Sequence, residues 1–156
     1  MSLPKDSTAD SPASRNIGPL AENTLSLRVT YRDTDQMGYV YYANYLVYFE
    51  MARTELLRAL GRSYRECEAD GIFLPVVEAA CRYFASAHYD DLLHVRARVT
   101  RWTRAALDFE YEVRRSGEPD LLATGVTRHV FTNREGRIAR AGDRVLPAGS
   151  PEESAP

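Results

Sequence analysis

Two periodicities in one chain of 156 residues constrain its fold more than any other feature. In the second half, Leu93, Val95, Ala97 and Val99 alternate with His94, Arg96, Arg98 and Thr100, and Leu107, Phe109, Tyr111 and Val113 alternate with Asp108, Glu110, Glu112 and Arg114. Leu25, Leu27, Val29 and Tyr31 do the same upstream. Such period-two runs are the mark of strands with one buried face, and clean alternation favours antiparallel pairing. Between them, Tyr45, Phe49, Ala52, Leu56 and Ala59 recur at helical spacing, and Gly61 supplies a stop. The spacing predicts a helix over residues 43–60, about 27 Å long at roughly 1.5 Å per residue. Further strands are expected over 74–86 and 122–131, with a short return strand at 137–140. One strand, one long helix and then consecutive strands define an α+β domain, a curved antiparallel sheet wrapped around one central helix.

The same reading divides the chain into a polar leader at 1–22, a single domain at 23–146 and a flexible tail at 147–156. The leader carries Pro4, Pro12 and Pro19 and no aromatic residue, and it lacks the apolar stretch of a secretory signal. The most apolar run, residues 39–49, is broken by Asn44 and is far shorter than the roughly 20 residues that span a bilayer. A cytoplasmic protein without a membrane span is therefore expected. The two cysteines, Cys67 and Cys81, read as reduced thiols. A formal charge of −2 argues against bulk attraction to nucleic acid, although only Lys5 among the 20 cations is lysine and the arginines stay available for local recognition of phosphates.

Other chemistries lack their residues. His88, His94 and His129 form no ligand pattern with the cysteines, so no metal is expected and strand or surface positions are the simpler reading. No Gly-x-Ser-x-Gly elbow, phosphate-binding Gly-x-x-x-x-Gly-Lys or dinucleotide Gly-x-Gly-x-x-Gly occurs, so neither a serine hydrolase nor a nucleotide cofactor is expected.

What remains is the segment Tyr31-Arg32-Asp33-Thr34-Asp35-Gln36-Met37-Gly38-Tyr39-Val40-Tyr41-Tyr42-Ala43-Asn44-Tyr45 with Phe49-Glu50-Met51-Ala52-Arg53. It resembles the signature of hotdog-fold acyl-CoA thioesterases of the 4-hydroxybenzoyl-CoA type. The resemblance continues at Tyr83-Phe84 and at residues 88–93. It implies the hotdog fold, an acyl-CoA substrate, no cofactor, and a homodimer or homotetramer with active sites where two protomers join sheet edges. Acyl carrier protein is a further candidate partner.

Thioester hydrolysis needs an activated water or a protein nucleophile, and donors for the charge growing on the thioester oxygen. Asp35 precedes a helix whose first N–H groups and dipole offer such donors. Read without the resemblance, Asp35 is equally a helix cap or turn residue. With it, Asp35 is the expected catalytic carboxylate, as nucleophile or as general base, and the backbone N–H of Tyr42 polarises the carbonyl. Many bacterial members carry histidine at the position of Tyr42, so an imidazole is excluded there. Gly38 and Asn44 are expected on the substrate side, Asn44 having a helix-start cap as its alternative, while Asp33 and Glu50 read as structural. Arg101 and Arg104 flank Trp102 at a strand end; Arg104 matches the family's coenzyme-A-binding basic turn and Arg101 is a further candidate there, with a solvated turn as the alternative for both. A non-catalytic acyl-CoA or acyl-carrier-protein binding module is the competing function, in which Asp35 serves only the turn.

Overall fold

A computed structural model of the protein describes residues 21–145. The expected leader and tail lie outside them, apart from Ala21 and Glu22, and Glu22 opens the first strand. The elements run β1 (Glu22–Arg28), a 3₁₀ turn at Tyr31–Asp33, α1 (Asn44–Ala59), α2 (Tyr64–Ala69), β2 (Val76–Tyr83), β3 (Leu92–Trp102), β4 (Ala106–Arg115), β5 (Leu121–Val130) and α3 (Gly142–Val145). The strands form one antiparallel sheet in the order β1-β3-β4-β5-β2, the curved hotdog sheet around α1.

Most of the helical stripe packs as its spacing requires: Tyr45, Phe49, Ala52 and Leu56 are buried in one core with Val95, Tyr111 and Phe131, whereas Ala59, in the last turn, is exposed. α1 stops where Gly61 takes φ +99°, and the Arg62 N–H reaches back to Leu57 O at 3.2 Å. α2 was not anticipated, yet its signal was present. Ser63 and Glu66 form a capping box, with Ser63 N–H donating to Glu66 Oε2 at 2.7 Å and Glu66 N–H donating to Ser63 Oγ at 3.3 Å. The expected strand at 137–140 reduces to one bridge, Thr132 to Ile138.

His129 takes one of the positions expected of it, on strand β5, and its surroundings there are specific. It is buried on the inner face of β5, with Nδ1 3.3 Å from Leu74 O and Nε2 2.8 Å from Thr127 Oγ1, which in turn meets the Tyr111 hydroxyl at 2.6 Å. A carbonyl only accepts, so Nδ1 carries the proton and Nε2 accepts from Thr127. Burial, reinforced by the Arg53 charge and opposed by Leu74 O, pulls His129 from 6.5 to about 4. Between these values the unfolded chain binds the proton and the folded one does not, so stability is complete above about pH 6.5 and falls as pH drops toward 4. The full effect is on the order of 3 kcal/mol, at about 1.4 kcal/mol per pH unit. Urea midpoints at pH 7 and pH 4.5 check this: wild type is expected to lose more stability across that interval than His129→Gln, and equal losses would refute it.

Candidate active site

The loop between β1 and α1 is fixed by its own backbone. Val29 pairs with the 90–91 turn through Val29 N–H to Asp91 O and Asp90 N–H to Val29 O, both 3.0 Å. Val40 N–H donates to Ala87 O at 2.8 Å. Arg115 holds that neighbouring turn, donating to Asp91 Oδ2 and to Ser86 O at 2.9 Å each. Burial works against the Asp91 charge, but the His88 N–H and Arg115 hold its carboxyl below the usual range.

Within this frame Asp35 heads a tight turn. Gly38 N–H donates to Asp35 O at 3.0 Å, Asp35 N–H donates to Tyr39 O at 2.9 Å, and Met37 N–H donates to Asp35 Oδ1 at 2.9 Å. Gly38 takes φ +82°, and a Cβ there would meet nothing within 4 Å. The glycine is therefore required by backbone conformation rather than by a close neighbour. Asp35 keeps its second carboxylate oxygen unbonded among the described residues, and it lines a cavity of about 300 Å³ with Tyr42, Tyr45, Tyr83, Phe84 and Ser86.

The start of α1 forms another wall. Asn44 N–H donates to Tyr41 O at 2.9 Å and Tyr45 N–H donates to Tyr42 O at 3.4 Å, whereas the N–H groups of Tyr42 and Ala43 donate to no acceptor among the described residues. The Tyr83 hydroxyl donates to Tyr42 O at 2.9 Å and so holds the peptide at the helix mouth. Burial raises the Tyr83 phenol well above its ordinary value, which keeps it a donor. A carboxylate and free N–H groups at a 16-residue helix start thus share one cavity. That pairing can activate a nucleophile and stabilise an oxyanion.

The structure brings Asp35 and Tyr42 together, with Gly38 in the turn that carries Asp35. Asn44 is placed differently: its side-chain amide donates to Asp33 O at 2.8 Å, tying loop to helix. Asp33 has the structural position expected of it, with Oδ2 accepting from Thr30 N–H and from the Thr30 hydroxyl at 2.9 Å each. Arg101 and Arg104 are not brought to Asp35. They flank the turn at the far end of β3, about 30 Å along that strand at roughly 3.3 Å per residue, and they face Asp108 at 3.8 Å and Asp143 at 3.6 Å. Tyr83 and Arg115 were given no role by sequence reasoning. Tyr83 stands within a quoted motif, but its bond to Tyr42 spans 41 positions and no local pattern reports it. Among the described residues no group of three or more His, Cys, Asp or Glu side chains could hold a metal ion.

Residues 29–154 match the family described as the Thioesterase-like superfamily. Over 94 residues the chain is 40% identical to acyl-CoA thioesterase YbgC of Haemophilus influenzae, covering 60% of this chain and 69% of that one. Over 108 residues it is 32% identical to a 1,4-dihydroxy-2-naphthoyl-CoA hydrolase of Synechocystis, covering 69% and 78%. The crystal structure of a DHNA-CoA thioesterase from Staphylococcus aureus superimposes with a TM-score of 0.75 at 29% identity, covering 79% of this chain and 82% of that one.

Proposed function

The chain belongs to the Thioesterase-like superfamily, and on that premise we propose that its Asp35 cavity is where it hydrolyses acyl-CoA thioesters to a free acid and coenzyme A. Acyl-CoA thioesterase activity is the function its named relatives share. The observation that carries the site is the shared cavity of the half-buried Asp35 carboxylate and the N-terminus of α1. The thioester carbonyl lies against the Tyr42 N–H, which takes the charge developing on oxygen. Asp35 either attacks the carbonyl carbon, forming an anhydride that water cleaves to the free acid once the thiolate has left, or removes a proton from the water that attacks. The C–S bond then breaks and the thiolate leaves to be protonated as free coenzyme A. Tyr45, Tyr83 and Phe84 give the cavity aromatic walls, which suits an aromatic or short acyl group. Gly38 and Asn44 act by shaping the loop and tying it to α1, and the phosphate-binding role of Arg104 and Arg101 is assigned to a coenzyme bound at another copy's site.

The reading includes a homodimer. β2 pairs only with β5, and Val76, Val77, Tyr83 and Phe84 are exposed along and just beyond it, leaving an edge that a second β2 can cover. Val77 falls at a register shift and takes no part in pairing with β5. Light scattering is expected to give two chain masses for wild type and one for Val77→Asp with its fold intact. An unchanged mass in the variant counts against this edge. No helix among the described residues is long and apolar enough to cross a membrane, and a cytoplasmic location, favoured by two free cysteines, completes the proposal.

One observation favours the non-catalytic alternative: Asp35 Oδ1 already serves the Met37 amide. Thiol release from a panel of aromatic, short and long acyl-CoAs separates the two. Turnover of at least one member is expected, and its acyl group names the substrate class. Binding of the panel without thiol release would leave a binding module.

A further inference from the structure

We propose that the cavity between the middle of α1, α2 and the start of β2 binds a carboxylate carried on an apolar organic group, with the Arg53 guanidinium and the Tyr64 hydroxyl as its donors. This cavity, about 850 Å³, shares no lining residue with the Asp35 cavity. Arg53, Tyr64, Phe73, Leu74, Val76 and Thr132 are among its walls.

Arg53 lies on the inward face of α1 and is only 9% exposed. A guanidinium stays charged at any physiological pH and can only donate. Among the described residues it has no carboxylate at ion-pair distance, and its Nε is buried without an acceptor. The Tyr64 hydroxyl, on the first turn of α2, is buried without a hydrogen bond of normal geometry, and it faces the Arg53 guanidinium, as does the Tyr111 hydroxyl. Glu50 and Glu68 also line the cavity, yet neither pairs with Arg53. A buried cation without its anion is among the costliest arrangements in a protein interior, and an apolar side chain of like length would serve packing better.

Arg53 and Tyr64, side by side on one wall and without a carboxylate between them, together define the chemistry the cavity accepts. Burial pushes the Tyr64 phenol up to about 12 even against the Arg53 charge, so it remains a proton donor. A fixed cation and a phenol donor on one cavity call for an acceptor with two oxygens and one negative charge, which a planar carboxylate supplies. Arg134 also lines the cavity, and with Arg53 it is balanced by Glu50 and Glu68, so the walls carry no net positive charge to hold a doubly charged phosphate. Phe73, Leu74 and Val76 offer apolar surface for the body of the ligand, and the volume falls in the range of small-molecule sites.

Such a carboxylate has two sources: a free organic acid, or an acid group on the acyl chain of a thioester. The second rests on the proposed function, because antiparallel pairing of two β2 edges would set this cavity of one copy beside the Asp35 cavity of the other. Titration calorimetry of the full-length protein with benzoate and hexanoate, against benzyl alcohol and hexanol, tests the shared chemistry at pH 7. The acids are expected to bind and the alcohols not. Tyr64→Phe should weaken acid binding several-fold. Arg53→Met should weaken it at least tenfold while its thermal midpoint stays near that of wild type, as replacement of a buried charge by an apolar side chain of like length predicts.

Acids binding no better than alcohols, or Arg53→Met binding benzoate as wild type does, would overturn the site. A strongly destabilised Arg53→Met together with a Tyr64→Phe that retains full benzoate affinity would overturn it too, since Arg53 would then act in packing. Hydrolysis of hexanoyl-CoA against adipyl-CoA separates the sources. A preference for the acid-bearing substrate that disappears in Arg53→Met supports a carboxylate on the acyl chain, whereas an unchanged ratio with benzoate binding in wild type supports a free acid. If neither thioester is hydrolysed, benzoate titration still decides the site, so failure of the thioesterase reading is visible separately.

Discussion

Asp35→Asn is expected to lower kcat for acyl-CoA hydrolysis by about 100- to 10,000-fold, the range that a positioned acid–base group contributes. Asparagine keeps the oxygen that accepts the Met37 N–H at 2.9 Å, so the turn survives while the charge is lost. Nothing in the core depends on this side chain, which is half-buried at the rim of its cavity. The thermal midpoint should therefore remain that of wild type, and KM should move far less than kcat, because the group acts on the transition state rather than on binding. Thiol release under saturating substrate, with unfolding followed in parallel, reads all three quantities. An Asp35→Asn variant with full activity would remove Asp35 from the chemistry and leave the Tyr42 N–H as the only assigned group. Single turnover in ¹⁸O-water then identifies a covalent acyl intermediate when label enters Asp35, whereas label confined to the product acid is the result for a general base and for an anhydride opened at its acyl carbon alike.

Asp35 stands out in the sequence only through the family resemblance, since its residues alone read as a cap or turn; the turn itself is legible because Gly38 and the start of α1 lie within ten residues of it and its hydrogen bonds are short-range. The strands were readable for a related reason. β3 and β4 expose one face and bury the other, so Leu93, Val95, Tyr111 and Val113 alternate with charges along the chain. β5 hides its inner face, because Ala123, Gly125, Thr127 and His129 are buried without reading as apolar. The polar members of that row are satisfied by one another and by Tyr111, a partnership that only the fold creates. β2 is an exposed edge, and its alternation is correspondingly weak. The arginine pair shows a different limit. Arg101 and Arg104 follow an 11-residue strand whose other end meets the Asp35 loop, so the separation was implicit in the strand length, although no spacing states which end faces the site. Arg53 lay inside the recognised motif without an assigned role, since only tertiary packing reveals that a charged residue one position from Ala52 is drawn inward.

The largest stability effects are expected where α1 presses against the sheet. Phe49 is fully buried, stacks on Tyr111 with ring centroids 4.4 Å apart, and fills the space over Gly125. A Cβ at Gly125 would lie 2.2 Å from Phe49 Cε2 and 2.5 Å from Cζ, closer than any van der Waals contact. Phe49→Ala should therefore cost about 3–5 kcal/mol through the cavity it leaves, lowering the thermal midpoint by about 10 °C for a chain of this size. Gly125→Ala should cost about 1–3 kcal/mol for the opposite reason, overpacking. The two faults compensate, because the methyl group added at Gly125 enters the space that the phenyl ring vacates. The double variant is therefore expected to be less destabilised than the two single costs combined, with a coupling energy on the order of 1–3 kcal/mol. Chemical denaturation of the four proteins completes the cycle, and strict additivity would show that α1 does not rest on Gly125 through Phe49. Activity should follow the same cycle. Phe49 is about two turns from the Tyr42 peptide, so displacing α1 at this contact tilts the N–H groups at its start away from the carbonyl they are proposed to hold. Thiol release by Gly125→Ala should fall more than its folded fraction does, and recover when Phe49 is shortened.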